Sequence, residues 1–192
     1  MAPQQKIVVL MGSTSDIPFA HRIEDFLKEN HFSIKCEYRV SSAHRNPEKL
    51  LQDLKDYEQS KDNMVFITVA GLSDALSGVV AGYTTKPVIA CPPDLKTYKW
   101  GKFFSSAIMP KGVPVALVAE PENAALLAVR ILSLSDSTIE KTIKKHRDMA
   151  REAVVKADRE VKGKEAHEIE REHLEKVEHE LHAQHVESET EE

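Results

Sequence analysis

A histidine and an arginine stand side by side in Ser41-Ser42-Ala43-His44-Arg45-Asn46-Pro47. Hydroxyls and a cation suit an anionic ligand, and imidazole can move a proton near neutral pH. The segment follows an alternating apolar run, Ser33 to Val40, and precedes a helical pattern from Pro47 to Tyr57. It is therefore a loop at the carboxyl end of a strand, where open α/β sheets form their ligand crevice. Two other loops match it. In Gly12-Ser13-Thr14-Ser15-Asp16, Gly12 allows close backbone approach, the hydroxyls of Ser13 and Ser15 add donors, and a helix N-terminus offers unpaired N–H groups. That is a phosphate cradle in chemical terms. It is neither GxGxxG nor Walker A, so no dinucleotide or nucleoside triphosphate is indicated. Ser15 or Asp16 could equally cap the helix that follows. In Ala70-Gly71-Leu72-Ser73-Asp74-Ala75-Leu76-Ser77-Gly78, Gly71 and the alanines leave room for a flat ring against the backbone. Asp74 could touch a ligand or cap the next helix.

The elements that must position these loops alternate. Strands are predicted at Lys6–Met11, Ser33–Val40, Met64–Val69, Pro87–Cys91 and Val115–Ala119. Between them the apolar spacing changes to that of helices. Phe19, Ile23, Phe26 and Leu27 form one stripe, and Leu50, Leu51, Leu54 and Tyr57 another. Further helices are predicted at Ala75–Thr84 and Pro121–Ser135, and Pro92–Lys102 reads as a loop. This β-α alternation predicts a three-layer, doubly wound parallel sheet of flavodoxin-like or Rossmann-like type. A C-terminal helical extension follows. Residues 1–136 are read as the catalytic domain. Residues 137–163 are read as a helix whose stripe, from Ile139 to Val161, packs on a neighbouring subunit. Residues 164–192 are read as a charged tail, helical or disordered.

Charge and composition narrow the function classes. The net charge of −5 lies wholly beyond Asp136, since residues 1–136 hold 15 basic and 15 acidic side chains. No basic stripe suits a nucleic-acid backbone. No apolar run approaches membrane-spanning length, and the N-terminus does not read as a secretory signal. Cys36 and Cys91 fall in predicted strands without a CxxC motif, as expected of free thiols in a reducing cytoplasm. No metal site is expected. The tail histidines His179, His182 and His185 could ligate a divalent ion but read better as a solvated face. His167 and His173 form no HExxH motif. A flavodoxin-like electron carrier is a competing reading, in which Tyr83, Tyr98 or Trp100 flanks FMN and the protein is yellow.

The three loops together resemble one family, the PurE-type aminoimidazole ribonucleotide (AIR) carboxylases of purine biosynthesis. The resemblance runs in order through Gly12–Asp16, Ser42–Arg45, Ala70–Gly78 and Pro87–Cys91. It continues through Cys91-Pro92-Pro93, Phe104-Ser105-Ser106, Met109-Pro110 and Glu120-Pro121-Glu122-Asn123-Ala124-Ala125, covering about residues 6–136. It implies a homo-octamer without cofactor, with AIR, carboxy-AIR (CAIR) and CO2 as small-molecule partners. One branch, the N5-carboxy-AIR mutases, typically has histidine where Ala75 stands. The other uses CO2 directly, and Ser73, Ala75, Leu76, Ser77 and Gly78 resemble that branch. Leu72-Ser73-Asp74 departs from its common Arg-Ser-Asn by losing a cation and gaining an acid. The resemblance implies His44 as the general acid/base. It implies Ser13, Ser15 and Arg45 at the phosphate, Asp16 at the ribose hydroxyls, the backbone around Ser42, Ala43 and Gly71 at the ring and CO2, and Gly12, Ser73, Ala75 and Leu76 as further substrate-binding residues.

Overall fold

The computed structural model describes residues 3–175, 177 and 178. Five parallel strands form a single sheet in the order β2-β1-β3-β4-β5. They are β1 (Gln5–Met11), β2 (Lys35–Val40), β3 (Asn63–Val69), β4 (Val88–Ala90) and β5 (Ala116–Leu117). The central pair is registered with Val9 opposite Ile67. Both are apolar along their length because both faces of the sheet are covered. Ile7, Val9, Val65 and Ile67 point to one side and meet Ile23 and Leu27 of α1 (Ile17–Glu29) and Ala128 and Val129 of α5 (Pro121–Leu132). Val8, Leu10 and Phe66 point to the other and meet Leu50 and Leu54 of α2 (Pro47–Glu58) and Leu76 and Val80 of α3 (Ala75–Tyr83). This is the three-layer doubly wound architecture that the alternation predicts. The strand order reverses direction about β1 and β3, and there the loops after adjacent strands splay apart and open a crevice.

Two local expectations are corrected. Residues expected as a loop over Pro92–Lys102 contribute to a helix, α4 (Leu95–Ala107). Two prolines, three lysines and Gly101 masked it, and Lys99, at φ 40° and ψ −113°, kinks it so that no regular apolar stripe develops. At the first loop neither Ser15 nor Asp16 caps a helix in the expected way. Ser13 caps a 3-10 turn, Thr14–Asp16, through the Ser15 N–H, and Asp16 reaches back to the Ser13 N–H. Asp16 then occupies the position before α1 without a side-chain cap bond.

The chain divides into two compact units between His146 and Arg147. A long helix, α6, runs Ser137–Val161. Within the first unit, Ile139 and Ile143 pack on the chain's own core. His146 meets the Phe26 ring edge-on, and its Nδ1 lies 2.8 Å from Asn30 Oδ1. The predicted stripe is thus partly satisfied within one chain. Further along, Met149, Val154, Val155 and Val161 are exposed. Residues 166–175 of the second unit are helical, and Lys164 Nζ pairs with Glu172 at 2.5 Å. His179, His182 and His185 lie outside the described residues. Among the described residues, no helix is long and apolar enough to cross a membrane.

Candidate functional site

The three chemistry-bearing loops meet. A cleft of about 330 Å3 lies at the carboxyl ends of the strands, lined by Gly12, Ser13, Ser15, Asp16, Ser42, Ala43, His44, Arg45, Ala70, Gly71, Leu72, Ser73 and Leu76. That volume falls in the range of small-molecule clefts, roughly 300–1,000 Å3. Of the residues read from the sequence as site residues, only Ala75 is outside the lining. It begins α3 and is half-buried. Tyr83, Tyr98 and Trp100 do not line the cleft.

The first wall is the turn after β1. The Gly12 N–H donates to the Val69 carbonyl at 2.9 Å, which ties this loop to the end of β3. A Cβ on Gly12 would stand 3.6 Å from the Ala70 Cβ, in ordinary contact. Asp16 is buried, and its Oδ2 accepts the Ser13 N–H at 2.9 Å. Burial raises its pKa above the ordinary carboxylate value, and the Ser13 hydrogen bond and the charge of Lys102 offset this only in part.

The second wall carries the imidazole. Ser41 ends β2 by donating its N–H to the Met11 carbonyl at 2.8 Å. The chain then turns: Asn46 N–H reaches the Ser42 carbonyl, Arg45 N–H reaches Ser42 Oγ, and Asn46 Oδ1 caps α2 through the Lys49 N–H. His44 and Arg45 sit at the crest of this turn, exposed to the cleft. Beneath them lies Asp53, on the buried face of α2. Its carboxylate accepts from Ser41 Oγ (2.7 Å), Lys49 Nζ (2.5 Å) and Arg39 Nη2 (2.8 Å). Burial would raise its pKa, but hydrogen bonds from Lys49 and Ser41 and the Arg39 charge overcome that and hold it below the ordinary value. Asp53 was overlooked in the sequence. The available signal was an acid on a face otherwise made of Leu50, Leu54 and Tyr57.

The third wall is Ala70–Ser73. Asp74 lies under it, buried, and takes the capping option. Its Oδ1 accepts the Ser77 N–H, and its Oδ2 accepts Ser77 Oγ and Ser106 Oγ, both at 2.8 Å. The acid gained at this position is therefore turned away from the cleft. Asp94 and Lys102, neither singled out in the sequence, brace the same wall from α4 and its approach. Cys36 and Cys91 are free thiols that burial pushes up to about 12, so neither is a nucleophile at neutral pH.

Comparison with known proteins agrees with this geometry. The family model described as AIR carboxylase matches residues 6–153. The chain is 44% identical to a phosphoribosylaminoimidazole carboxylase of Archaeoglobus fulgidus over 148 residues, 77% of this chain and 80% of that protein. It is 43% identical to an N5-carboxyaminoimidazole ribonucleotide mutase of Methanocaldococcus jannaschii over 148 residues, 76% of this chain and 90% of the other. A crystal structure of Treponema denticola PurE superposes with a TM-score of 0.78 at 38% identity, covering 83% of this chain and 99% of that one. A chain that places these loops around one cleft, and shares most of its length with such proteins, belongs to the AIR carboxylase (PurE) family of purine biosynthesis.

Proposed function

We propose that the chain carboxylates AIR directly with CO2, giving CAIR, with His44 as the acid/base. The observation that carries this reading is that, among the described residues, the cleft lining holds a single imidazole. Position 75, where the mutase branch typically has another histidine, is an alanine outside that lining. Overall similarity does not discriminate, because relatives of both names are about equally close.

The chemistry follows from the substrate. The amino group of AIR makes C4 of the imidazole nucleophilic. C4 donates an electron pair to the carbon of CO2, a C–C bond forms, and one C=O π pair becomes a carboxylate oxygen lone pair. C4 then holds both hydrogen and carboxylate. His44 takes that proton, the C–H pair returns to the ring, and aromaticity is restored. In reverse, the imidazolium protonates C4 and CO2 departs. Arg45 has no acidic partner among the described residues and is available to the phosphate, together with Ser13 and Ser15. Asp16, recessed beside Gly71, suits the ribose hydroxyls as an acceptor. The small Ala70-Gly71 segment leaves room for the ring.

This reading extends to a homo-oligomer, an octamer by family resemblance. Beside the cleft, Tyr98, Trp100, Phe103, Phe104 and Ile108 around α4 are exposed, Trp100 to 73%. Apolar surface of this kind is usually covered by a partner. The discriminating experiment supplies AIR with bicarbonate, without ATP, against N5-carboxy-AIR. CAIR formed only from N5-carboxy-AIR would assign the chain to the mutase branch.

A further inference from the structure

Lys102 extends from α4 with its side chain fully buried. A buried ammonium is tolerated only where its protons find acceptors. Here Nζ donates to the carbonyls of Ala70 at 2.6 Å and Leu72 at 2.5 Å, and Asp94 Oδ1 lies 3.1 Å away as an ion-pair partner. Two backbone carbonyls thus accept from Nζ, and the Asp94 carboxylate balances its charge at ion-pair distance, although Oδ1 itself accepts no hydrogen bond. Asp94 closes the arrangement, because its Oδ2 accepts the Leu72 N–H at 2.5 Å. Both backbone polar groups of Leu72 are thus held, one by each member of the ion pair.

Leu72 requires such holding. Its φ is 57°, a left-handed conformation that a branched residue adopts only when its surroundings impose it. Leu72 is 70% exposed, so packing does not impose it. Gly71, its neighbour, passes between two carboxylates: a Cβ there would lie 3.5 Å from Asp94 Oδ2 and 3.8 Å from Asp16 Oδ1. The Lys102 charge compensates the repulsion that this crowding creates.

We infer that Lys102, acting through Asp94 and the backbone of residues 70–72, is a positioning residue that locks the wall of the cleft against which the substrate's flat ring lies. It lines no part of the cleft itself. The inference rests on the reaction proposed above, but the latch can be tested apart from it. Lys102→Met keeps most of the stem and removes the ammonium. Two measurements are made on the full chain: steady-state turnover of AIR with bicarbonate, and amide hydrogen exchange of residues 70–74. Turnover should fall about 10²-fold, the scale of a roughly 1 Å misplacement of a positioning group. KM should move by less than about threefold, because phosphate and ribose are held by the other two loops. Exchange at the Leu72 amide should quicken by about tenfold or more. A general stabilising role would lower Tm without this split between kcat and KM. Parental turnover together with parental exchange at Leu72 overturns the inference. If Lys102→Met does not fold, Asp94→Asn decides, since its amide oxygen can still accept the Leu72 N–H while the charge is lost. Turnover should again fall, and unchanged turnover and exchange overturn the latch. If the parent chain turns over no AIR, the exchange measurement alone decides the latch, and the fault lies in the assigned reaction.

Discussion

Replacing Asp53 with asparagine should destabilise the fold in a pH-dependent way, because this carboxylate supports the loop that carries His44. Three donors converge on it, from Ser41, Lys49 and Arg39. The side chains of Lys49 and Arg39 are 44% and 41% exposed, so water replaces their lost partner and each contributes only about 0–1 kcal/mol. Ser41 is 1% exposed and cannot be rehydrated in place, and a hydroxyl left with a poor partner costs about 1–3 kcal/mol. The sum at pH 7 is about 1–5 kcal/mol, or about 2–20 °C in Tm for a chain of this size. The pH dependence has a definite sign. The folded-state pKa of Asp53 is lowered, so its contribution is present above the unfolded value, near 3.9, and disappears as pH falls through the folded value. Urea unfolding of parent and variant from pH 7 down to pH 3 reads the difference directly. The two curves should converge as pH falls below about 4. A penalty below about 0.5 kcal/mol at pH 7, within the usual range of surface substitutions, would refute the reasoning, as would an equal penalty at both ends.

Asp74→Ala should cost about 2–3 kcal/mol by chemical unfolding, since it removes a helix cap and leaves the buried Ser77 and Ser106 hydroxyls without their acceptor. Ser15→Ala and Arg45→Ala should weaken binding of the ribonucleotide while leaving the unphosphorylated riboside little changed in calorimetric titration, and equal weakening of both would remove these residues from the phosphate. Truncation after Lys162 should leave Tm and activity near parental values. Truncation after Asp136 removes Ile139 and Ile143 from the core and should lower Tm measurably in a thermal scan.

The cleft was legible in the sequence because each of its walls follows an apolar strand and precedes a helical stripe, and a parallel sheet brings such loops to one end. Asp74 was ambiguous in sequence because a capping aspartate and a ligand-binding one look alike. Its burial against Ser77 and Ser106 separates them. The supports beneath the walls were hidden. Lys102 lies in a segment punctuated by Pro92, Pro93 and Gly101, and a fully buried lysine carries no pattern that distinguishes it from a solvated one. Its partners are Asp94 and the carbonyls of Ala70 and Leu72, the latter two distant in sequence and brought to it only by α4 folding back onto the loop after β3. The division of the apolar stripe of α6 was equally hidden, because spacing shows that a face is apolar and not which surface covers it.

Carboxylation of AIR with labelled bicarbonate, without ATP, by the parent chain and by His44→Asn tests the central claim most directly. The account predicts labelled CAIR from the parent. From a variant that still folds and binds ribonucleotide, it predicts turnover lower by about 10²–10⁴-fold, the usual contribution of a positioned acid/base. Label incorporated at a near-parental rate by His44→Asn would contradict it.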